Sequence, residues 1–335
     1  MSSRAKRGIS VYGVRSLASL GMTLFCPILL FAQSPPRRAH HALVYEEARE
    51  RVLLTGGSTP LEAGQHFQFF NDLWSFDGTR WTKLPESGQE MSGMRLAWDA
   101  PRSRVVSFGG YLGQSLGLLR TLRDDQWITL GDSPELAAAE PGFAFDRRHS
   151  RFVVFGGSTG PGQALGRTME FDGTTWTARE VTGPSQRQAH AMVYDEKRGR
   201  VVVFGGLGTA ASGQQPPLIG ELWEFDGDQW IERTAPGGPG PRHSPGVAYD
   251  TKRGRTILFG GLTATGFAGD TWSWDGTAWR KLAETGPEPR AMGYMAYDRK
   301  RDRIVLFGGR KGWPDGDLND TWEWNGTGWR RVAPE

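Results

Sequence analysis

The chain has 335 residues, including 47 Gly and 14 Trp, with 23% charged residues and a formal charge of +3. Gly and Trp in that abundance suit tight turns between short aromatic-bearing strands, and nothing beyond residue 33 sustains a helical period. The only cysteine is Cys26, which excludes a disulfide framework, and a chain of this length buries enough apolar surface without one.

The first 32 residues differ from the rest. Arg4, Lys6, Arg7 and Arg15 form a basic head with no acid, an apolar run fills 17–32, and polar QSPPRR follows. The pattern predicts a secretory signal cleaved after Ala32, and a mature protein that is secreted or held in the periplasm or cell envelope. A lipoprotein signal at Cys26 and a retained anchor interrupted by Pro27 are the alternatives. Cleavage removes four basic residues and takes the formal charge from +3 to −1, so the basic balance does not argue for nucleic acid. It also removes Cys26, and no membrane span follows.

A short linker, 33–37, leads into six copies of one unit, about 38–86, 91–131, 138–181, 187–234, 242–283 and 290–335. Each contains a variant of YDEKRGRVVVFGG (194–206), and successive Gly-Gly pairs lie 53, 47, 49, 55 and 48 residues apart. A second element such as ELWEFDGDQW (221–230) follows each pair; the second copy, LLRTLRDDQW (118–127), keeps only its final Trp and lacks the Asp-Gly turn.

Every unit reads as four strands. Strand A ends in an aromatic, strand B is a continuous apolar run, strand C carries alternating aromatics, and strand D opens at a Trp. A run such as VVVF (201–204) has no polar face, so its sheet must be covered on both sides. The expected fold is all-β, a propeller of six four-stranded antiparallel blades. The Gly-Gly after an apolar strand, the aromatic-Asp before strand D and the Trp that opens it resemble the kelch-repeat family, closest to secreted bacterial members, over about residues 38–335. Kelch propellers often close with a blade built from both chain ends. Here the six units are in phase, so blade 6 is expected to pack directly on blade 1, or to need help from residues 33–37.

Strand direction sorts the loops. The B–C and D–A connections share one face (face one), where lengths vary most at 58–71 and 207–220; the short A–B and C–D turns share the other (face two). Variable loops on a rigid scaffold make face one the expected binding face. Arg38, Arg187, Arg242 and Arg290 stand seven residues before the strand-A aromatic, where blades 2 and 3 have Met91 and Ala138. Resemblance to peptide-binding kelch domains implies that these arginines take carboxylates at the central pocket; bracing of the D–A loops is the competing role. His40, His41, His190 and His243 gather nearby with His66 in a long loop, and no spacing among them imitates a metal motif. Twelve Trp belong to strands C and D and Trp98 to strand A, leaving Trp313, with His66–Phe70 and Phe267, as loop aromatics suited to sugars or peptides. On face two, the acids Glu46, Asp99, Asp146, Asp195, Asp250 and Asp298 are expected to pair with Arg51, Arg104, Arg151, Arg200, Arg255 and Arg303.

The expected function is non-catalytic binding or scaffolding outside the cytoplasm, with a protein, peptide or glycan partner, no cofactor and no metal. Candidate ligand-binding residues are Arg38, Arg187, Arg242, Arg290, His190, His243 and Trp313. The alternative is a carbohydrate-active enzyme such as a sugar mutarotase. A copper radical oxidase fails on chemistry, because its cofactor needs a cysteine and the mature chain has none.

Overall fold

The computed structural model describes residues 34–61, 66–85, 88–234, 236–313 and 316–333. The predicted signal, Cys26 and Gln33 of the linker lie outside the described residues. Among the described residues, no helix is long and apolar enough to cross a membrane.

Six sheets follow one another in the chain, each with four antiparallel strands in the order A-B-C-D. The A strands are Ala42–Glu46, Arg95–Asp99, Gly142–Asp146, Ala191–Asp195, Gly246–Asp250 and Tyr294–Asp298. They contact one another in sequence, the first meeting the last, so the sheets form a closed six-bladed β-propeller with strand A innermost.

The apolar B strands explain the packing. In blade 4, Val201 and Val203 join Ala144, Val153 and Phe155 of blade 3, while Val202 and Phe204 join Leu258, Trp272 and Trp274 of blade 5. Alternate side chains of one strand therefore feed two different inter-blade cores, which is why the run carries no polar position.

Blade 2 keeps its fourth strand without the Asp-Gly turn. Asp124 and Asp125, with φ of 49° and 59°, make a two-residue turn between Leu118–Arg123 and Gln126–Asp132. Two positive φ values in succession are the geometry of a type I′ hairpin, so a tighter turn replaces the longer loop.

The ring closes without strand exchange. Trp81 Nε1 of blade 1 donates to Thr321 Oγ1 of blade 6 at 2.8 Å, just as Trp230 reaches Thr168 of blade 3 at 2.9 Å. Blade 1 and blade 6 share a core that includes Tyr45, Trp81, Val305 and Phe307. The closing interface is thus built like an internal one, and the in-phase units need no shared blade.

Two backbone rings on face one complete the circle. The second glycine of each Gly-Gly pair donates to the carbonyl of the residue at the arginine position in the next blade, from Gly57 to Met91 round to Gly309 to Arg38, all at 2.8–3.0 Å. Nearer the axis, His40, Gly93, Glu140, Ala189, Ser244 and Met292 form a second ring. Gly93 N donates to His40 O, Glu140 N to Gly93 O, and so on until His40 N reaches Met292 O. All six have φ between 50° and 66°, so five non-glycine residues hold the left-handed conformation that the ring requires.

Candidate functional site

The four arginines sit inside the blades. Arg38, Arg187, Arg242 and Arg290 are at most 3% exposed. Each donates to the carbonyl of the first glycine of its own Gly-Gly pair, 18 residues on: Gly56, Gly205, Gly260 and Gly308. Each also holds the acid that opens strand C, respectively Asp72, Glu221, Asp270 and Asp320, and the indole of Trp74, Trp223, Trp272 or Trp322 bonds the same carboxylate. Burial opposes ionisation of Asp320, but the hydrogen bond and charge of Arg290 outweigh it and hold the carboxyl below its ordinary range. With these donors engaged inside the blade, the four residues do the bracing that the sequence offered as the competing role.

The A strands enclose a cavity of about 230 Å3 on the axis. Its floor, on face two, is an alternating ion ring: Arg147 and Arg299 each pair with both Glu47 and Glu196, drawn from blades 1, 3, 4 and 6. Blades 2 and 5 place Ala100 and Thr251 at the corresponding positions. Phe143, Met192, Val193, Val247 and Met295 contribute apolar wall.

Face one gives the cavity its polar groups. Four residues beyond the arginine position, strand A begins with Ala42, Gly142, Ala191 and Gly246 in four blades, but with Arg95 in blade 2 and Tyr294 in blade 6. These two long side chains meet, the guanidinium carbon 4.6 Å from the ring centroid. Arg95 also donates to Met94 O at 3.1 Å, and no carboxylate among the described residues forms an ion pair with it. The Tyr294 hydroxyl is buried, with the Arg95 guanidinium as a polar neighbour but no well-aligned hydrogen-bond partner. Burial pushes it up to about 12, so it stays protonated at neutral pH. His190, 4% exposed, lines the same cavity with neither ring nitrogen partnered. Gly142 leaves room for it, since a Cβ there would lie 2.5 Å from His190 Nε2.

In the inner ring, the His40 imidazole pairs with the Glu140 carboxylate from blade 3. The pair flanks Gly93, where an added Cβ would come within 3.3 Å of Glu140 Cγ. Burial opposes ionisation of Glu140, but the charge and hydrogen bond of His40 win, aided by Arg95 and His243, and hold the carboxyl at about 2. His243 is half-buried and bonded through Nδ1 to Ser244 Oγ at 3.0 Å. His41 is fully buried against Tyr294 and Phe307. Burial, then Arg38, His40 and Arg95, keep it well below the usual histidine range. Among the described residues, no group of three or more His, Cys, Asp or Glu is placed to hold a metal ion.

Trp313 is 61% exposed on face one. Arg310, itself paired with Asp317 at 2.6 Å, stacks on the indole, and Phe67 of the Ser58–Leu61/His66–Phe69 hairpin lies 5.9 Å away. Phe69 of the same hairpin meets Tyr111 of blade 2 at 6.4 Å. Phe67, Tyr111 and Leu61 are also exposed, making an apolar shelf across the face-one loops of blades 6, 1 and 2. The predicted loop aromatics therefore come together, whereas Phe267 stands apart in the Leu262–Thr263/Gly266–Phe267 hairpin.

On face two, Glu46–Arg51 and Asp99–Arg104 pair as expected, at 2.6 and 2.9 Å. In blades 3 to 6 the acid is instead held by the residue three positions on, His149, Arg198, Arg253 or Arg301. The strand-B arginines of blades 3 and 4 turn to Glu170 and Asp226 of strand C and its turn.

Sequence reasoning missed Arg95, Tyr294 and Glu140, none of which belongs to the repeat pattern. A signal was present in the columns. Four small residues beside one Arg and one Tyr mark a position where the blade needs no side chain and two blades supply one. No protein-family model matches the chain, and no curated protein matches it.

Proposed function

We propose that the chain is an exported binding protein on a kelch-type propeller, taking a peptide or glycan on face one. The observation that carries this reading is the difference between the faces. On face two, short turns are tied by ion pairs and the axis is occupied by a ring of four charged side chains. On face one, the rings of Trp313, Phe67 and Tyr111 are exposed, and the axial cavity holds His190 with neither ring nitrogen partnered. Exposed aromatics and concave sites with a few polar groups both characterise recognition surfaces. The basic head and apolar run of the first 32 residues support export, and the Gly-Gly, aromatic-Asp and Trp pattern supports the kelch assignment.

The mouth favours binding over acid–base chemistry. A general acid or base works best with its pKa near the operating pH, whereas Glu140 is held at about 2. His190 is pushed well below the histidine range by burial, then by Arg187 and Arg95. A mutarotase reading therefore gains no support from these groups.

Glycan and peptide arrays with the purified protein test the reading. The double substitution Trp313→Ala/Phe67→Ala is expected to weaken capture at least ten-fold, and Lys252→Glu on face two to leave it unchanged. The opposite pattern would sink the assignment of the binding face.

A further inference from the structure

The geometry points to the axial cavity as a site for a small organic carboxylate, held by Arg95, Tyr294 and His190. This rests on face one being the binding face, but not on the apolar shelf.

Three observations converge. The first is charge. The negative charge of Glu140 is met first by His40, with Arg95 acting on it from further off, and Arg95 itself makes no ion pair with a carboxylate among the described residues. A guanidinium is a planar fork of donors matched to a carboxylate, and a partly buried one without an anion leaves its strongest interaction unmade.

The second is unmet hydrogen bonding. Buried polar groups are nearly always partnered, because an orphan loses its hydration without replacement. Here both nitrogens of His190 are orphans, the Tyr294 hydroxyl has no well-aligned partner beyond the neighbouring Arg95 guanidinium, and both residues line the cavity that Arg95 lines. Burial keeps Tyr294 protonated and His190 neutral, so one supplies an O–H and the other one N–H and one acceptor. A carboxylate on Arg95 with a neighbouring hydroxyl would satisfy all three residues.

The third is size and shape. The four residues of the ion ring bound the cavity at its face-two end, and Arg95, Tyr294 and His190 bound it towards face one. At about 230 Å3 the cavity is smaller than pockets for drug-sized molecules, commonly ~300–1,000 Å3. Phe143, Met192, Val247 and Met295 offer apolar contact to the body of the ligand. The occupant that fits is a compact acid with at least one hydroxyl, not a polymer threaded through the axis.

Calorimetric titration with matched probes tests this: lactate against glycerol, and glucuronate against glucose. At least one acid is expected to bind ten-fold or more tightly than its neutral counterpart. Arg95→Ala is expected to remove that preference, and Tyr294→Phe to weaken the acid several-fold, with thermal melting confirming that each variant is folded. Tyr294→Phe keeps the ring and its packing, so it remains informative if Arg95→Ala fails to fold. Failure of both acids to bind, equal binding of a neutral partner, or acid binding unchanged in a folded variant would each overturn the assignment. Acid binding that persists in Trp313→Ala/Phe67→Ala, with polymer capture also unchanged there, would retain this site while removing the shelf from the proposed function.

Discussion

Blades 1, 4, 5 and 6 carry a complete set of arginine, acid and strand-C tryptophan, while blades 2 and 3 carry none of it. Where blade 5 has Arg242, Asp270 and Trp272, blade 2 has Met91, Leu118 and Arg120, and blade 3 has Ala138, Arg167 and Met169. The three positions change together because each is costly alone. A buried guanidinium without its acid is an uncompensated charge, and the acid without it is another. In blade 2 the site is refilled differently: Met91 packs with Ala42 and Met94 against Leu118, and the buried Arg120 guanidinium, at the tryptophan position, donates to Ser107 Oγ and Met91 Sδ at 3.3 Å and lies over Trp127. The same two blades supply Gly93, Arg95 and Glu140 to the mouth. Blades 2 and 3 thus add Arg95 and Glu140 to a polar site that Tyr294 of blade 6 and His190 of blade 4 share.

The largest effect is expected from splitting one set. Arg290 and Asp320 are 1% and 7% exposed, so Arg290→Ala removes the two charge-assisted hydrogen bonds of a buried carboxylate and leaves it the Trp322 indole. The cost should be about 3–5 kcal/mol, read from urea unfolding. Arg290→Met/Asp320→Leu, which takes the blade 2 residues at two of the three positions, should recover most of that loss. If the double variant is as unstable as the single one, the three residues do not act as a unit and the comparison between blades loses its meaning.

Much of this organisation was legible in the sequence because repeats print the same constraint six times. The apolar B strand demanded cover on both faces, and the propeller provides it. Arg38, Arg187, Arg242 and Arg290 were visible as a column, but a column does not reveal whether a fork points outward or is filled. Their partners lie 28 to 34 residues away, across the long B–C connection. Ring closure was hidden for a related reason: Trp81 and Thr321 lie 240 residues apart, and their hydrogen bond copies one whose partners, Trp230 and Thr168, lie 62 apart. The cavity groups were hardest to see, since Arg95, Tyr294 and Glu140 occur once each in their columns and gain meaning only when the axis brings them together.

A second test separates bracing blades by charge state. Blades 1 and 4 place His41 and His190 three residues after the arginine, where the other four have Met94, Pro141, Pro245 and Gly293. Burial lowers the pKa of both histidines in the fold. Below the unfolded value of about 6.5 the unfolded chain therefore binds protons that the fold does not, and stability is lost as pH falls from there towards the depressed folded values. Each histidine contributes a slope of at most about 1.4 kcal/mol per pH unit. His41→Met, matching blade 2, should flatten the decline between pH 6.5 and 5 by roughly one histidine's share. An unchanged slope would show that His41 is not excluded from protonation in the fold.

The smallest effect belongs to the floor. Glu47, Arg147, Glu196 and Arg299 have side chains 28–32% exposed, so solvent and salt screen them, and Glu47→Gln should cost no more than about 1 kcal/mol. Its value as a test is directional. The ring joins blades 1 and 6, at the closure, to blades 3 and 4 across the axis, bypassing blades 2 and 5. If it clamps the closing interface, raising salt should lower the stability of the native protein and leave Glu47→Gln less affected, because the variant has already lost one of the two carboxylates that hold both arginines. Equal salt dependence in the two proteins would mean that the closure relies on the Trp81–Thr321 contact and the apolar core alone, and that the blades at the seam are held as every other pair is held.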